Sequence, residues 1–277
     1  MNNGDYDEET ALKAAIDASL KTEDQFKPKE TLKPLGGMVE LYKKRLTRGL
    51  DTSSILVATD TDFWYYNCND EIDRGWGCTY RVIQTIFSNL KKRGCIGENE
   101  PVPTLRNIQQ ALSELPGYDR SIIGSKKWLE PPDSNRFFRA YGVIGYDTKY
   151  NLGDERVKQK LADDLRNHFS TIRTPVMVDD KYKTFGVLGV ADSKSGENYV
   201  LIFDPHVHVT ESLTLADIKS NKIDRVGWKT FKEHFKSKTW MVLFPLRVPP
   251  SVDESAANGT LESGGICTKG CLPCVIS

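Results

Sequence analysis

The chain has 277 residues, enough to bury a sizeable core in one large domain with tails, and its 38 lysines and arginines balance 38 aspartates and glutamates. That balance leaves no net field to gather nucleic acid or a strongly acidic substrate, so no nucleic-acid partner is expected. Of six cysteines, three crowd the last eleven residues, no secretory pattern opens the sequence, and no apolar run approaches the length of a spanning helix. A reducing, cytosol-facing location is expected, with any membrane contact made through an anchor.

Residues 1–23 read as an amphipathic helix. Asp5, Asp7, Glu8 and Glu9 precede Leu12, Ala15, Ile16, Ser19 and Leu20, one stripe with acidic residues at the favourable N-terminal end. The stripe is similar to the ubiquitin-interacting motif, in which an acidic run is followed by leucine, by alanine three residues on and by serine four further. Leu12, Ala15 and Ser19 match it, and the resemblance implies a ubiquitin-binding helix in which Ile16 shares the contact face. Residues 24–35, with Pro28, Pro34 and several lysines, read as a linker.

A domain is expected over 36–247. It opens with a helix over 38–46, a strand-like stretch over 54–58 and the aromatic segment Asp62-Phe63-Trp64-Tyr65-Tyr66. Next comes Asp73-Arg74-Gly75-Trp76-Gly77-Cys78-Thr79-Tyr80-Arg81, after which Val82, Ile83, Ile86, Phe87 and Leu90 recur at helical spacing. Cys78 therefore falls at a helix N-terminus, where free backbone N–H groups and the helix dipole favour a thiolate and can receive an oxyanion. The plain alternative is a cysteine buried as a small apolar residue.

Helical spacing returns over 105–115. Residues 116–150 have no clear period, an amphipathic helix follows over 155–169, and strands are expected over 175–178 and 185–191. The turn Asp192-Ser193-Lys194-Ser195-Gly196-Glu197 leads into Tyr199-Val200-Leu201-Ile202-Phe203, which reads as a hairpin, and a last strand spans 240–244. The second strand of the hairpin ends in Asp204-Pro205-His206.

A cysteine nucleophile needs a base, usually histidine, and the chain has four. His206 projects from a strand end with Asp204 two residues away to orient it; His208 competes with it, while His168 and His234 read as solvated helix residues. Residues 248–277 read as a disordered tail, in which 249–265 lose their apolar residues and the end is a cysteine, two aliphatics and serine. That is a prenylation box on Cys274, with Cys271 and Cys267 as second lipidation sites. The plain alternative, unmodified tail cysteines in a metal or redox role, lacks histidine or acidic neighbours.

Gly75-Trp76-Gly77-Cys78-Thr79-Tyr80-Arg81 together with Asp204-Pro205-His206 resembles the papain-like cysteine peptidases specific for the ubiquitin-fold modifier, a family that includes zinc-finger-bearing deubiquitinases. Ile123-Gly124-Ser125-Lys126-Lys127-Trp128, Thr174-Pro175-Val176-Met177 and Gly227-Trp228-Lys229 extend the likeness over about residues 36–247. The resemblance implies an α+β papain-like fold, its cysteine helix packed on an antiparallel sheet that carries Asp-Pro-His. It makes Cys78 the nucleophile, His206 the base, Asp204 its orienter and Tyr66 the tyrosine that completes an oxyanion hole, with no cofactor and no metal.

Two departures bear on substrate. Thr184-Phe185-Gly186 stands where the family usually carries a His-Thr pair, and Leu129-Glu130-Pro131-Pro132 replaces a small acidic continuation after Trp128. With the ubiquitin-binding helix, they place a membrane-tethered deubiquitinase first. A protease for ubiquitin-fold-modifier conjugates comes second, and an inactive ubiquitin-binding adaptor third.

Overall fold

The computed structural model describes residues 28–44, 50–220 and 222–246. Its centre is a helix of 15 residues, Cys78–Lys92, in which every residue from Cys78 to Leu90 is buried. Buried polar side chains must find partners, and here they find the preceding loop. Thr85 Oγ1 accepts from Trp64 N at 3.0 Å, Ser88 Oγ from Asp62 N at 2.9 Å, and Asn89 Nδ2 donates to the Thr59 carbonyl at 3.1 Å. The aromatic segment is thereby strapped across the helix, with Phe63, Trp64, Tyr65 and Tyr66 all buried.

In chain order the helices are α1 Met38–Lys44, α2 Cys78–Lys92, α3 Leu105–Ser113, α4 Pro131–Ala140, α5 Glu155–Thr171, α6 Leu215–Lys219 and α7 Phe231–His234. The strands are β1 Leu56–Val57, β2 Gly145–Asn151, β3 Val176–Asp179, β4 Thr184–Asp192, β5 Asn198–Phe203, β6 Val226–Thr230 and β7 Thr239–Pro245. Among the described residues these strands form one sheet in the order β2-β7-β3-β4-β5-β6, with β1 added to the far end of β4. Every pairing is antiparallel. Helices α2 and α5 pack on β4, and α4 on β2 and β7, giving the expected α+β arrangement.

The β4–β5 hairpin pairs Asp192 with Asn198 and Gly186 with Phe203, as the turn residues predict. At Gly186 a Cβ would stand 1.8 Å from the buried Phe203 ring, so that position admits no side chain. Gly186→Ala should cost about 1–3 kcal/mol as overpacking. A urea midpoint equal to wild type would show that the ring moves aside freely.

Several expectations are corrected. His168 is buried, not solvated: its Nε2 lies 2.9 Å from the Thr174 carbonyl oxygen, and burial pulls its pKa down to about 4. His234 is half-buried, with ring centroids 5.1 Å from Phe185 and 4.9 Å from Phe235, and burial lowers it likewise to about 4. Both histidines occupy the apolar stripe of their helices, beside Leu165 and Phe169 or Phe231 and Phe235. Residues 54–58 open as a 3-10 turn over Thr52–Ser54, leaving only Leu56–Val57 as strand.

Within the stretch read as a linker, Leu32 and Leu35 are buried and pair with Cys68 and Phe63, so chain from Lys29 onward lies on the domain. The segment 116–150 holds a 3-10 turn, α4 and the edge strand β2. The two prolines after Glu130 start α4, where a missing N–H costs nothing, and Glu130 and Asp133 form a reciprocal cap. No helix among the described residues is long and apolar enough to cross a membrane.

Candidate active site

Cys78 is the first residue of α2, and a buried ion pair sets the angle at which the chain enters. Arg81 places Nε 2.8 Å from Asp73 Oδ2 and Nη2 2.8 Å from Asp73 Oδ1, a bidentate pair with both side chains fully enclosed. The backbone of Asp73 also accepts from Gly77 N at 2.8 Å, and Asp73 Oδ1 accepts from Asn67 N at 2.8 Å. One aspartate therefore ties the loop before the cysteine to the first turn after it. Gly77 is required by the same arrangement, because a Cβ there would stand 2.2 Å from Asp73 Oδ2. Trp76 closes the loop edge-on against Tyr80, centroids 5.4 Å apart.

Opposite Cys78, β5 ends at Phe203 and presents Asp204 and His206. Asp204 Oδ1 bonds the His206 ring at Nδ1 and also accepts from the His206 backbone N–H at 2.9 Å, which fixes the imidazole in orientation. Antiparallel pairing with β6 brings Arg225 alongside: its Nη1 donates to Asp204 Oδ2 at 2.9 Å, and its carbonyl accepts from Asp204 N at 2.7 Å. Burial alone would raise the Asp204 carboxyl. The His206 hydrogen bond and charge, with Arg225, outweigh burial and hold it low, so it stays an anion.

The remaining face of the imidazole meets the Cys78 sulfur. Burial would push the thiol up, yet the hydrogen bond and charge of His206, with backbone and side-chain hydrogen bonds from Thr184, bring it below the ordinary cysteine value. Burial likewise works against a charged His206, but Asp204 and Cys78 together lift it to about 9. Both shifts run towards a thiolate–imidazolium pair, the form in which a cysteine is an activated nucleophile.

Tyr66 is locked beside this pair. Its backbone N–H donates to the Pro205 carbonyl at 3.1 Å and its ring lies 5.2 Å from the His206 ring. Burial, with the negative charge of Cys78 next, raises the phenol well above its usual value, so it keeps its hydroxyl hydrogen. His208 packs on Tyr66, ring centroids 5.9 Å apart, and burial, with Arg74 and His206 nearby, lowers it to about 4. Of the two competing histidines, His206 is the one in contact with Cys78.

The structure thus brings Cys78, His206, Asp204 and Tyr66 into one cluster, four residues spread over 140 positions of the chain being joined by α2, the strap before it and the end of β5. Leu12, Ala15, Ile16 and Ser19, and the tail cysteines Cys267, Cys271 and Cys274, lie outside the described residues. Arg225, Thr184 and Asp179 belong to the site and were not singled out from sequence as site residues. Arg225 precedes the Gly227-Trp228-Lys229 stretch by two residues, which is the only local signal that could have pointed to it. The stretch 123–128 is pinned against α2 and α3: Tyr80 of α2 donates its hydroxyl to the Lys127 carbonyl at 2.9 Å and Gln109 Nε2 of α3 donates to the Ser125 carbonyl at 2.8 Å.

Comparison with known proteins gives a consistent result. Residues 52–243 match the family model described as peptidase family C78. Ufm1-specific protease 2 of Mus musculus is 32% identical over 205 residues, covering 69% of this chain and 42% of that protein. The Ufm1-specific protease of Caenorhabditis elegans is 33% identical over 184 residues, covering 65% of this chain and 29% of that protein. Among solved structures, the crystal structure of UfSP from C. elegans superposes with a TM-score of 0.62 at 26% identity, over 79% of this chain and 38% of that one. The α+β, papain-like architecture is shared with it. The chain spans less than half the length of these relatives.

Proposed function

Because the chain belongs to peptidase family C78, we propose that it is a thiol isopeptidase that cleaves conjugates and precursors of the ubiquitin-fold modifier after the modifier's C-terminal glycine. The observation that carries this reading is the Cys78–His206–Asp204 cluster, with Cys78 at a helix N-terminus and His206 held by a low-lying carboxylate. The relatives named above are called Ufm1-specific proteases, which supports the modifier over ubiquitin and reverses the order reached from the sequence.

In this mechanism the Cys78 thiolate attacks the glycine carbonyl carbon. The oxyanion that forms is held by the Tyr66 hydroxyl and the Cys78 backbone N–H. The C–N bond then breaks while His206 passes its proton to the departing lysine amine, leaving a thioester on Cys78. Neutral His206 takes a proton from water, hydroxide attacks the thioester, and collapse releases the modifier and restores the thiolate–imidazolium pair. Asp204 keeps the imidazole aligned through both halves, and Arg225 keeps Asp204. The ubiquitin-interacting helix expected at residues 1–23 and the lipidated tail would add recruitment to this chemistry, not chemistry of their own.

Matched probes carrying a C-terminal electrophile decide between the readings. The ubiquitin-fold-modifier probe should label the wild-type protein at Cys78 and leave Cys78→Ala unlabelled. Labelling by the ubiquitin probe alone would return deubiquitinase to first place. Failure of both probes on protein whose Cys78 is accessible would favour the inactive adaptor.

A further inference from the structure

Beside Cys78, three short contacts hold fewer hydroxyl hydrogens than they need. Thr79 Oγ1 lies 2.7 Å from the Leu129 carbonyl oxygen, Thr79 Oγ1 and Thr184 Oγ1 are 2.7 Å apart, and Thr184 Oγ1 is 2.6 Å from Asp179 Oδ2. All four residues are buried, so water does not supply the difference. Each contact at such a distance requires one hydrogen, a carbonyl only accepts, and the two threonines bring one each. With Asp179 as a carboxylate, Thr184 donates to it and Thr79 donates to Leu129, and two hydroxyl oxygens then face each other with no hydrogen between them.

A proton on Asp179 completes the set. Asp179 O–H donates to Thr184, Thr184 to Thr79, and Thr79 to the Leu129 carbonyl. The other carboxyl oxygen, Oδ1, accepts from Lys181 N at 2.7 Å, a role that it keeps when the acid is neutral.

We propose that Asp179 is a positioning residue for Cys78, the proton-bearing end of a hydrogen-bond chain that locks the first residue of β4 to the first turn of α2. The inference deepens the peptidase reading and rests on Cys78 being the nucleophile. Thr184 is the link that matters, since its backbone N–H hydrogen-bonds the sulfur whichever way its hydroxyl hydrogen turns. The chain thus holds Cys78 through Thr184 while His206 holds it through the imidazole.

The surroundings of Asp179 agree. Burial raises its carboxyl to about 6 against the pull of hydrogen bonds from Thr184 and Lys181, and Asp180 and Glu130 add to the rise. Asp179 lines a cleft of about 730 Å³, whose other charged groups are Glu130, Asp180, Lys149, Lys181 and Lys238. The Cys78–His206 pair faces it across Thr184. As pH rises through about 6 the carboxylate forms. Thr184 turns its hydrogen towards that carboxylate, and a negative charge then stands one residue from the thiolate. The turn breaks the link from Thr184 to Thr79, and the charge disfavours the ionised sulfur.

Asparagine tests the idea directly. At position 179 its amide N–H donates to Thr184 and its oxygen accepts from Lys181 N, with no charge at any pH. The measurement is the rate at which iodoacetamide alkylates Cys78 in the full chain from about pH 5 to about pH 9, read from the mass of the Cys78 peptide in wild type, Asp179→Asn and Thr184→Val.

Wild type should show the Cys78 ionisation plus a second inflection near 6. Asp179→Asn should lose that inflection and move the thiol midpoint down by roughly one pH unit, the size of one removed charge at this range. Thr184→Val should lose the inflection too and react several-fold more slowly. Thermal unfolding is followed in parallel, since lost stability reduces the amount of reactive protein without moving an inflection. If the three curves share one shape while Cys78 is activated, Asp179 supports the fold alone and the proposal is overturned. If wild-type Cys78 titrates like an ordinary cysteine, the nucleophile reading fails as well.

Discussion

His206→Ala is expected to lower kcat/KM on a ubiquitin-fold-modifier conjugate by about 1,000-fold, within the range by which a positioned acid–base group accelerates a reaction. It should also move the ionisation of Cys78 to higher pH. The two effects have one cause. In the wild type, burial pushes the thiol up and the imidazolium brings it back below the ordinary value. Remove the imidazolium and the burial remains, opposed only by Thr184 and the helix N-terminus, so the thiolate fraction at neutral pH falls tenfold for each unit of the rise. The leaving amine loses its proton donor at the same time.

The sign of the pH dependence follows from His206. Activity should climb as Cys78 ionises and fall again as pH rises through about 9, where His206 gives up the proton that the amine requires. His208→Ala is the control: His208 packs on Tyr66, so a much smaller loss is expected. Both variants are compared by pH–rate profiles and by alkylation of Cys78. A wild-type alkylation profile in His206→Ala, or greater damage from His208→Ala, would sink the assignment of the base.

What the sequence made legible, it did through period and punctuation. Helix α2 and the β4–β5 hairpin were readable because Val82, Ile83, Ile86, Phe87 and Leu90 keep helical spacing, and because a polar turn separates two apolar runs. Cys78, Asp204, His206 and Tyr66 were readable because two short motifs resemble one family.

Residues whose role depends on pairing across the sheet were not readable. Arg225 reaches Asp204 only because β6 lies beside β5, and Asp179 reaches Thr184 only because β3 and β4 pair in the register Asp179 to Thr184. Two histidines were misjudged for a different reason. His168 and His234 were read by their polarity, whereas their positions three residues after Leu165 and Phe231 put them on the buried stripes. The helix expected at residues 1–23 and the lipidated tail rest on composition and short motifs, and both lie outside the described residues.

The largest stability effect is expected at the buried pair that aims Cys78. Arg81 and Asp73 have no exposed side-chain surface: removing Arg81 strands Asp73 without water, and removing Asp73 takes both bidentate bonds from Arg81 and leaves it only Glu71, 3.3 Å away, as an anion. Arg81→Ala or Asp73→Ala should each cost about 3–5 kcal/mol. At about 2–4 °C per kcal/mol for a domain of this size, the midpoint of thermal unfolding should drop by roughly 6–20 °C. Arg81→Lys should not rescue it, because an ammonium cannot make the two parallel bonds to Asp73 that the guanidinium makes.

The double variant separates the pair from its surroundings. With both charges gone only Glu71, which keeps some contact with solvent, loses its cation, so Asp73→Ala/Arg81→Ala should be less destabilised than the sum of the singles. Stability is not all that is lost, because Asp73 also fixes Asn67 and Gly77 in the loop before the nucleophile. The folded double variant should therefore still alkylate at Cys78 with a raised thiol pKa and turn over slowly, its charges balanced but its entry loop unpinned. Additive effects of under about 1 kcal/mol each would place the pair among surface-like ion pairs. A double variant of wild-type activity would show that the loop finds its position without Asp73, and that the Gly-Trp-Gly-Cys turn alone orients the thiol.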